Sequence, residues 1–288
     1  MASGQGQFAS WGVGTSVAAS FGIVTGGEVG PPNSPINHRR GIYAQARMTG
    51  AMLEYTGSVE FLPTGTNDAT LIGHALRSGF TDPSLTALAI EGGHVGEHSW
   101  LHTGCYIGTL ELSQSVNEAL SASITWQGTD GSRDDSPTAQ AAETGNTYEW
   151  FKTCVTIDGS AYECQEISVS LDNQLEPYSD LDTKVVGSQR KPQAIRIGSE
   201  IVTASLVIAS PADHSTLFDM DADDIDVDID VVWTASNGTR TLTMTLSDLA
   251  CSANPMPFVS PDGLVLWNVE LEAKQDTAGA LSIADAEV

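Results

Sequence analysis

Apolar and polar residues alternate along most of this chain with the period of a strand. Stretches 53–61, 85–91, 105–112, 119–127, 149–157, 161–170, 201–209, 225–235, 240–248 and 264–273 alternate or run short and β-branched, as half-buried strands do. Two stretches have helical spacing, 67–79 and 212–220, the second directly after Pro211, whose fixed φ suits a first helical turn. Residues 1–50 are rich in Gly, Pro and Ser, with Gly30-Pro31-Pro32 as a breaker, and read as an extended arm and loops. Residues 129–147 are polar and poor in large side chains, which predicts a linker or exposed loop.

One hairpin can be written out in register. Asn237-Gly238 suits a type I′ turn and sets Ser236 opposite Thr239 and Asp230 opposite Thr245. One face then carries Ile229, Val231, Trp233, Leu242, Met244 and Leu246, and the other carries Asp228, Asp230, Val232, Thr234, Thr241, Thr243, Thr245 and Ser247. Burying six large side chains contributes roughly 10 kcal/mol before entropy. A two-stranded ribbon is marginal alone, so this one must join a larger sheet. Copies paired edge to edge would close a barrel with an acid- and Thr-rich wall; the plainer reading is a sandwich with one wet face. A looser hairpin pairs 85–91 with 105–113 across the connection 92–104, turning Thr109 and Glu111 away from Leu110 and Leu112.

A faint repeat runs through these elements. Thr56-x-Ser58-Val59 before a helix matches Thr203-x-Ser205-Leu206, and Asp68 to Leu71 matches the run from Asp213 to Leu217. Leu120, Ala122, Ile124 and Trp126 match Val265, Trp267, Val269 and Leu271. The offsets are 147, about 146 and 145 residues, as a duplication would leave. The expected organisation is a first β unit with its arm over 1–130, a linker or exposed loop over 131–147, and a second unit over 148–288.

Charge sharpens the picture. Thirty-seven acids face twelve bases in 288 residues, for a net charge of −25. Passive binding to nucleic acid or an anionic membrane is excluded, because phosphates are repelled. The acidity fits a halophilic proteome, where salt screens self-repulsion, or a functional negative surface such as a pore lining. No apolar run is long enough to cross a membrane as a helix, and the N-terminus lacks a signal-peptide pattern, so synthesis in a cytoplasm is expected.

Candidate chemistry is thin. His94, His98, His102 and Cys105 are ligand types at even spacing, but the glycines among them disfavour a helix; a loop contacting a neighbouring subunit is the preferred reading for the three histidines. Asp219, Asp221, Asp223 and Asp230 follow a calcium-loop count, yet Asp224 stands where that loop needs Gly. Cys154 and Cys164 flank an expected three-residue turn, which allows a cross-strand disulfide. No nucleophile elbow, HExxH, P-loop or dinucleotide fingerprint is present, so no catalytic residue and no cofactor is expected.

The segments CYIGTLELSQSVNEALSASITWQG, CVTIDGSAYECQEISVSLDNQLEPYS, IRIGSEIVTASLVI and VELEAKQDTAGALSI resemble tail tube proteins of tailed, siphovirus-like phages. The resemblance implies a mainly β sandwich or barrel with short flanking helices, whose hairpins build an intersubunit β-barrel in stacked rings. It implies a virion tail protein that partners itself in rings of three or six chains, together with tape-measure, tail-terminator and baseplate or tip proteins. Viral DNA would pass through without specific binding, and no membrane partner is implied. With the acidic composition it suggests a virus of haloarchaea. Asp228, Asp230, Thr243, Thr245, Thr109 and Glu111 are then the candidate lumen residues. The alternative is a capsid-decorating or secreted ligand-binding sandwich, and a third reading is a metalloenzyme using the histidine segment.

Overall fold

The computed structural model describes residues 7–32, 53–77, 84–94, 98–134, 145–178, 191–209, 226–253, 266–273 and 281–287. A first set of elements comprises β1 (Gln7–Val13), β2 (Ala19–Ser20), β3 (Ile23–Val29), β4 (Tyr55–Leu62), α1 (Thr66–Ala75), β5 (Leu88–His94), β6 (Ser99–Ser115), β7 (Ser121–Gly128) and β8 (Asp130–Asp134). A second comprises β9 (Tyr148–Ile157), β10 (Ser160–Tyr162), β11 (Cys164–Asp172), β12 (Leu175–Tyr178), β13 (Ala194–Ile197), β14 (Ile201–Ala209), β15 (Val227–Ala235), β16 (Arg240–Ala253), β17 (Leu266–Ala273) and β18 (Leu281–Glu287).

The two sets pair alike. The first runs β2–β1–β5–β6–β7–β4–β3, with β8 also on β6. The second runs β10–β9–β15–β16–β17–β14–β11, with β18 also on β16. Every ladder is antiparallel. Their irregularities coincide as well. β3 slips between Val24 and Gly26 and β11 between Cys164 and Glu166; β6 slips between Ile107 and Thr109 and β16 between Cys251 and Ala253. Bulges bend a strand and re-aim the residues beyond them, so matched bulges give both sets the same bends.

β6 and β16 each serve two layers. Their N-terminal halves join β1, β5 and β8, or β9, β15 and β18; their C-terminal halves join β7, or β17. The corners fall at Gly104 (φ 59°) and Asp248 (φ 55°), in a left-handed conformation that glycine adopts freely and Asp tolerates. Strands that switch sheets at such bends make orthogonal packings. The ladder between β11 and β6, from Glu166 opposite Ser115 to Asp172 opposite Thr109, fuses the two sets into one layer of eight strands: β3–β4–β7–β6–β11–β14–β17–β16.

The core lies behind that layer. Phe61, Ala122, Leu112, Val169, Ala204 and Leu271 align across neighbouring strands, and none is more than 3% exposed. Buried on the facing layer are Ile229, Val231, Trp233, Leu242, Met244 and Leu246, the apolar face expected of the hairpin, in the expected register.

Several expectations change. That hairpin has no free edge for a second copy, since β9 covers β15 while β18 and β17 cover β16. Residues 7–13 and 23–29 are strands, not an arm, because β5 and β4 supply ladder partners. Part of the expected loop at 129–147 is β8 on β6. The connection 92–104 is largely the paired tips of β5 and β6. The helix expected over 67–79 ends at Ala75, where Leu76 turns extended. The turn between β9 and β10 holds two residues, Asp158 (φ 48°) and Gly159 (φ 74°), so Cys154 lies beyond the last pair, Val155 opposite Tyr162. The helix expected at 212–220 lies outside the described residues.

Candidate functional site: the acidic face of the eight-stranded layer

Alternation turns every second residue of the eight strands away from the core, and ladder register lines these residues up. One row reads Gly26, Glu60, Ser123, Glu111, Ser170, Thr203, Glu272, Ala250, one residue from each strand. A second reads Glu28, Ser58, Thr125, Thr109, Asp172, Ile201. A third reads Ser121, Ser113, Ser168, Ser205, Glu270. Hydroxyls and carboxylates dominate all three, and among the described residues these strands set no lysine or arginine on this face.

The hydroxyls bond to one another. Thr109 and Thr125 share a bond of 2.7 Å, and Thr125 Oγ1 accepts from the Thr109 amide at 3.2 Å. Ser113 and Ser121 share one of 2.8 Å. Glu28, Glu60, Glu111, Glu270 and Glu272 stay exposed. A trough of ≈ 640 Å³ crosses the face near Thr56, Thr109, Thr125 and Asp172. Four hydroxyls are thus engaged in two pairs and the carboxylates stand in water, so the surface presents negative charge, which repels phosphate.

Thr109 and Glu111 lie at the middle of this face. Asp228, Asp230, Thr243 and Thr245 do not: they lie on the outer side of the layer built from β9, β15, β16 and β18, pointing the opposite way. There Asp228 accepts the Asp248 amide at 3.1 Å and Asp230 accepts the Thr245 hydroxyl at 2.6 Å. The six residues therefore cannot line one surface, because β16 changes layers at Asp248.

The histidines separate too. His94 ends β5, and His98 is exposed at the turn. His102 is fully buried in β6, which rules it out as a loop contact. Its Nε2 donates to the Gly30 carbonyl at 2.9 Å and its Nδ1 accepts from Trp126 Nε1 at 3.2 Å, the arrangement of a neutral imidazole. Burial pushes its pKa below the ordinary value, against the opposing pull of the Gly30 carbonyl. Asp219, Asp221 and Asp223 lie outside the described residues. Among the described residues no group of three or more His, Cys, Asp or Glu could hold a metal.

Cys154, Cys164 and Cys105 are free thiols. Burial pushes the Cys164 thiol up to about 12, with the neighbouring Cys154 adding to the rise.

Two buried polar residues not singled out in the sequence tie the halves together. Gln114 accepts from Trp233 Nε1 at 2.9 Å and from the Thr153 hydroxyl at 2.7 Å. Asn173 donates to the carbonyls of Ala75 and Ile107 at 2.8 and 3.0 Å and accepts from Arg77 Nε at 3.2 Å. The signal for Asn173 was its place at the strand end in Asp172-Asn173-Gln174. Gln114 looked like any polar residue on an alternating strand.

Three comparisons bear on identity. The profile of the family described as phage tail tube protein matches residues 9–279. No curated protein matches the chain. Among solved structures, Hcp1 from Flavobacterium johnsoniae aligns over 48% of this chain and 100% of its own, at 13% identity and a TM-score of 0.30.

Proposed function

Because this chain belongs to the phage tail tube protein family, we propose that it is a structural subunit that stacks in rings to form the DNA channel of a viral tail. The observation that carries this reading is the eight-stranded face: wide, continuous, rich in Ser, Thr and carboxylates, and without a basic side chain among the described residues. A channel wall needs that character, since repulsion keeps the phosphate backbone from sticking. Thr109 and Glu111 face the lumen. Asp228, Asp230, Thr243 and Thr245 face the tube's outer wall.

In this reading each chain carries two tandem tube-like units, over 1–130 and 148–288, and the matched pairing schemes of the two sets support it. Three chains with eight strands each close a barrel of 24 strands. At about 4.8 Å between strands and a tilt near 40°, its backbone radius is roughly 24 Å. Six chains would double that bore, which favours a ring of three over one of six. The stacked tube meets tape-measure, terminator and tip proteins at its ends. The charge of −25 belongs to a host with molar salt, such as a haloarchaeon; melting temperature then rises steeply with NaCl, and a flat salt response argues against that origin.

Negative-stain microscopy of purified protein in molar salt, over a concentration series, tests the assembly. Hollow rings or tubes with threefold class averages are expected. Monomers at every concentration would move the assignment to a capsid-decorating or secreted ligand-binding sandwich.

A further inference from the structure

The trough of ≈ 640 Å³ in the hydroxyl-rich face has two walls, and each is fixed by a fully buried polar side chain. One wall is Gly30-Pro31, just past β3, where the Gly30 carbonyl accepts from His102 Nε2 at 2.9 Å. The other is the turn from Asp172 to Leu175, where Asn173 donates to the Ala75 and Ile107 carbonyls at 2.8 and 3.0 Å. The floor is open at Gly108, the extra residue where β6 slips between Ile107 and Thr109, because it carries no side chain.

Glu28 and Asp172 stand at opposite ends of the trough, in the row Glu28, Ser58, Thr125, Thr109, Asp172. Four strand spacings of about 4.8 Å part them by about 19 Å. Asp172 accepts the Gln174 amide through one oxygen, at 2.8 Å, which leaves the other to a ligand, and Glu28 is exposed. The hydroxyls between them accept as readily as they donate, and no basic side chain lines the trough. Pro31 and Leu175 add apolar surface to the walls. The arrangement suits a long, flexible chain with cationic donors at its ends and methylenes between, since ammonium–carboxylate contacts are charge-assisted.

We propose that this trough binds a linear polyamine, with one terminal ammonium at Glu28 and the other at Asp172. The inner amines lie over the hydroxyls of Ser58, Thr125 and Thr109, and the methylenes run along Pro31 and Leu175. Span selects the ligand. The two carboxylates are too far apart to share one metal ion or a short diamine, and an extended chain of several amines reaches both. Walls fixed in advance lower the ordering cost of binding. The matched bulges of β3 and β11 put Ser168 where the first set has Glu28, so the second set lacks that carboxylate and one ligand per chain is expected. The site lies within one chain and stands whether or not rings form.

Titration calorimetry of the full chain with the tetraamine spermine tests it, at the lowest NaCl concentration that keeps the protein folded. One spermine per chain is expected, bound more tightly than the diamine putrescine. Glu28→Gln and Asp172→Asn should each weaken spermine by about tenfold, the loss of one charge-assisted contact. Glu270→Gln removes an exposed carboxylate of the same face outside the trough and should leave binding unchanged. Gly108→Leu fills the trough and keeps both carboxylates; a Cβ there meets Leu175 Cδ1 and Thr125 Oγ1 at 3.6 Å, an ordinary contact. That variant should keep its melting temperature and lose spermine. If it fails to fold, the three charge variants still decide. Several spermines per chain with equal losses from all three charge variants would show diffuse attraction to an acidic surface and overturn the site. Undiminished binding by folded Gly108→Leu, or no binding by the unaltered chain, would overturn it too. None of these outcomes bears on ring formation, which microscopy decides separately.

Discussion

Trp233 Nε1 donates to Gln114 Oε1 across 2.9 Å, and through that bond the second half of the chain is anchored in the wall built by the first. Gln114 is 5% exposed, and its amide nitrogen serves the Tyr148 carbonyl at 3.2 Å. Gln114→Leu strands the indole N–H in the core, at an expected cost of about 1–3 kcal/mol. Adding Trp233→Phe removes the stranded donor, so the double variant should lose less than the two singles summed. Urea denaturation of all four proteins gives the coupling; strict additivity would show that the bond does not matter.

Asn173 is fully buried and gives both amide protons to carbonyls. Asn173→Asp keeps the shape but points a carboxylate at two acceptors, with only Arg77 in compensation. The expected loss at neutral pH is about 3 kcal/mol or more. A carboxyl disfavoured as its anion has a raised folded pKa, so the deficit should grow as pH rises above about 4. Melting curves at pH 5 and pH 8 check this; equal deficits would mean that Arg77 fully neutralises the change.

Acid should weaken the fold through its histidines before most carboxylates titrate. Burial lowers the pKa of His102 and of His74, so the unfolded chain binds protons that the folded chain refuses. Their contribution is therefore present above the unfolded value of 6.5 and is lost as pH falls from there toward the lower folded values, at up to about 1.4 kcal/mol per unit for each group. His102→Gln, in which the amide can still donate to Gly30, should flatten the slope of melting temperature between pH 7 and pH 5. An unchanged slope would place the sensitivity elsewhere.

Much of this was legible in the sequence because side-chain alternation reports burial directly. Trp233, Leu242 and Met244 fell on the buried face, and Asn237-Gly238 fixed the register between them. The role of β16 was not legible. Nothing in Leu246-Ser247-Asp248-Leu249 marks a strand that changes layers, because a bulge costs one residue and leaves composition untouched. Pairing 85–91 with 105–113 carried the first hairpin past the Gly104 corner and so put Thr109 and Glu111 on one face with Asp228 and Thr245, although the corners turn the two groups to opposite sides. β3 hid for another reason: Ile23-Val24-Thr25-Gly26-Gly27 has too few apolar residues to alternate, and its strand conformation comes from β4.

The corners themselves make opposite predictions. Gly104 sits at φ 59°, and an added Cβ would come within 2.3 Å of Thr129 Oγ1, so Gly104→Ala should cost about 1–3 kcal/mol from strain and crowding together. Asp248 holds the equivalent conformation at φ 55° with a side chain. Asp248→Gly relieves about 1 kcal/mol of backbone strain, and the amide that Asp228 accepts is retained. Thermal denaturation should therefore move in opposite directions for two substitutions at matching sites.

The wall's charge can be reversed without touching its packing. Glu60, Glu111 and Glu272 share one row across the face, and all three side chains are exposed. Replacing them with lysine shifts the net charge by six units, from −25 to −19, and should leave monomer melting within about 0.5 kcal/mol because no buried contact is lost. In a repelling channel, unaltered tubes retain no duplex DNA at low salt. Tubes of the triple variant should retain it, with affinity falling steeply as salt rises, because each ring now offers cations that displace counterions from phosphate. Glutamine at the same positions removes charge without adding attraction and should give intermediate retention. Co-sedimentation of short duplexes with the three tubes, from about 50 mM to about 1 M NaCl, measures the difference. Equal retention by unaltered and lysine tubes would mean that the face does not contact DNA, and that the lumen is lined by the other layer.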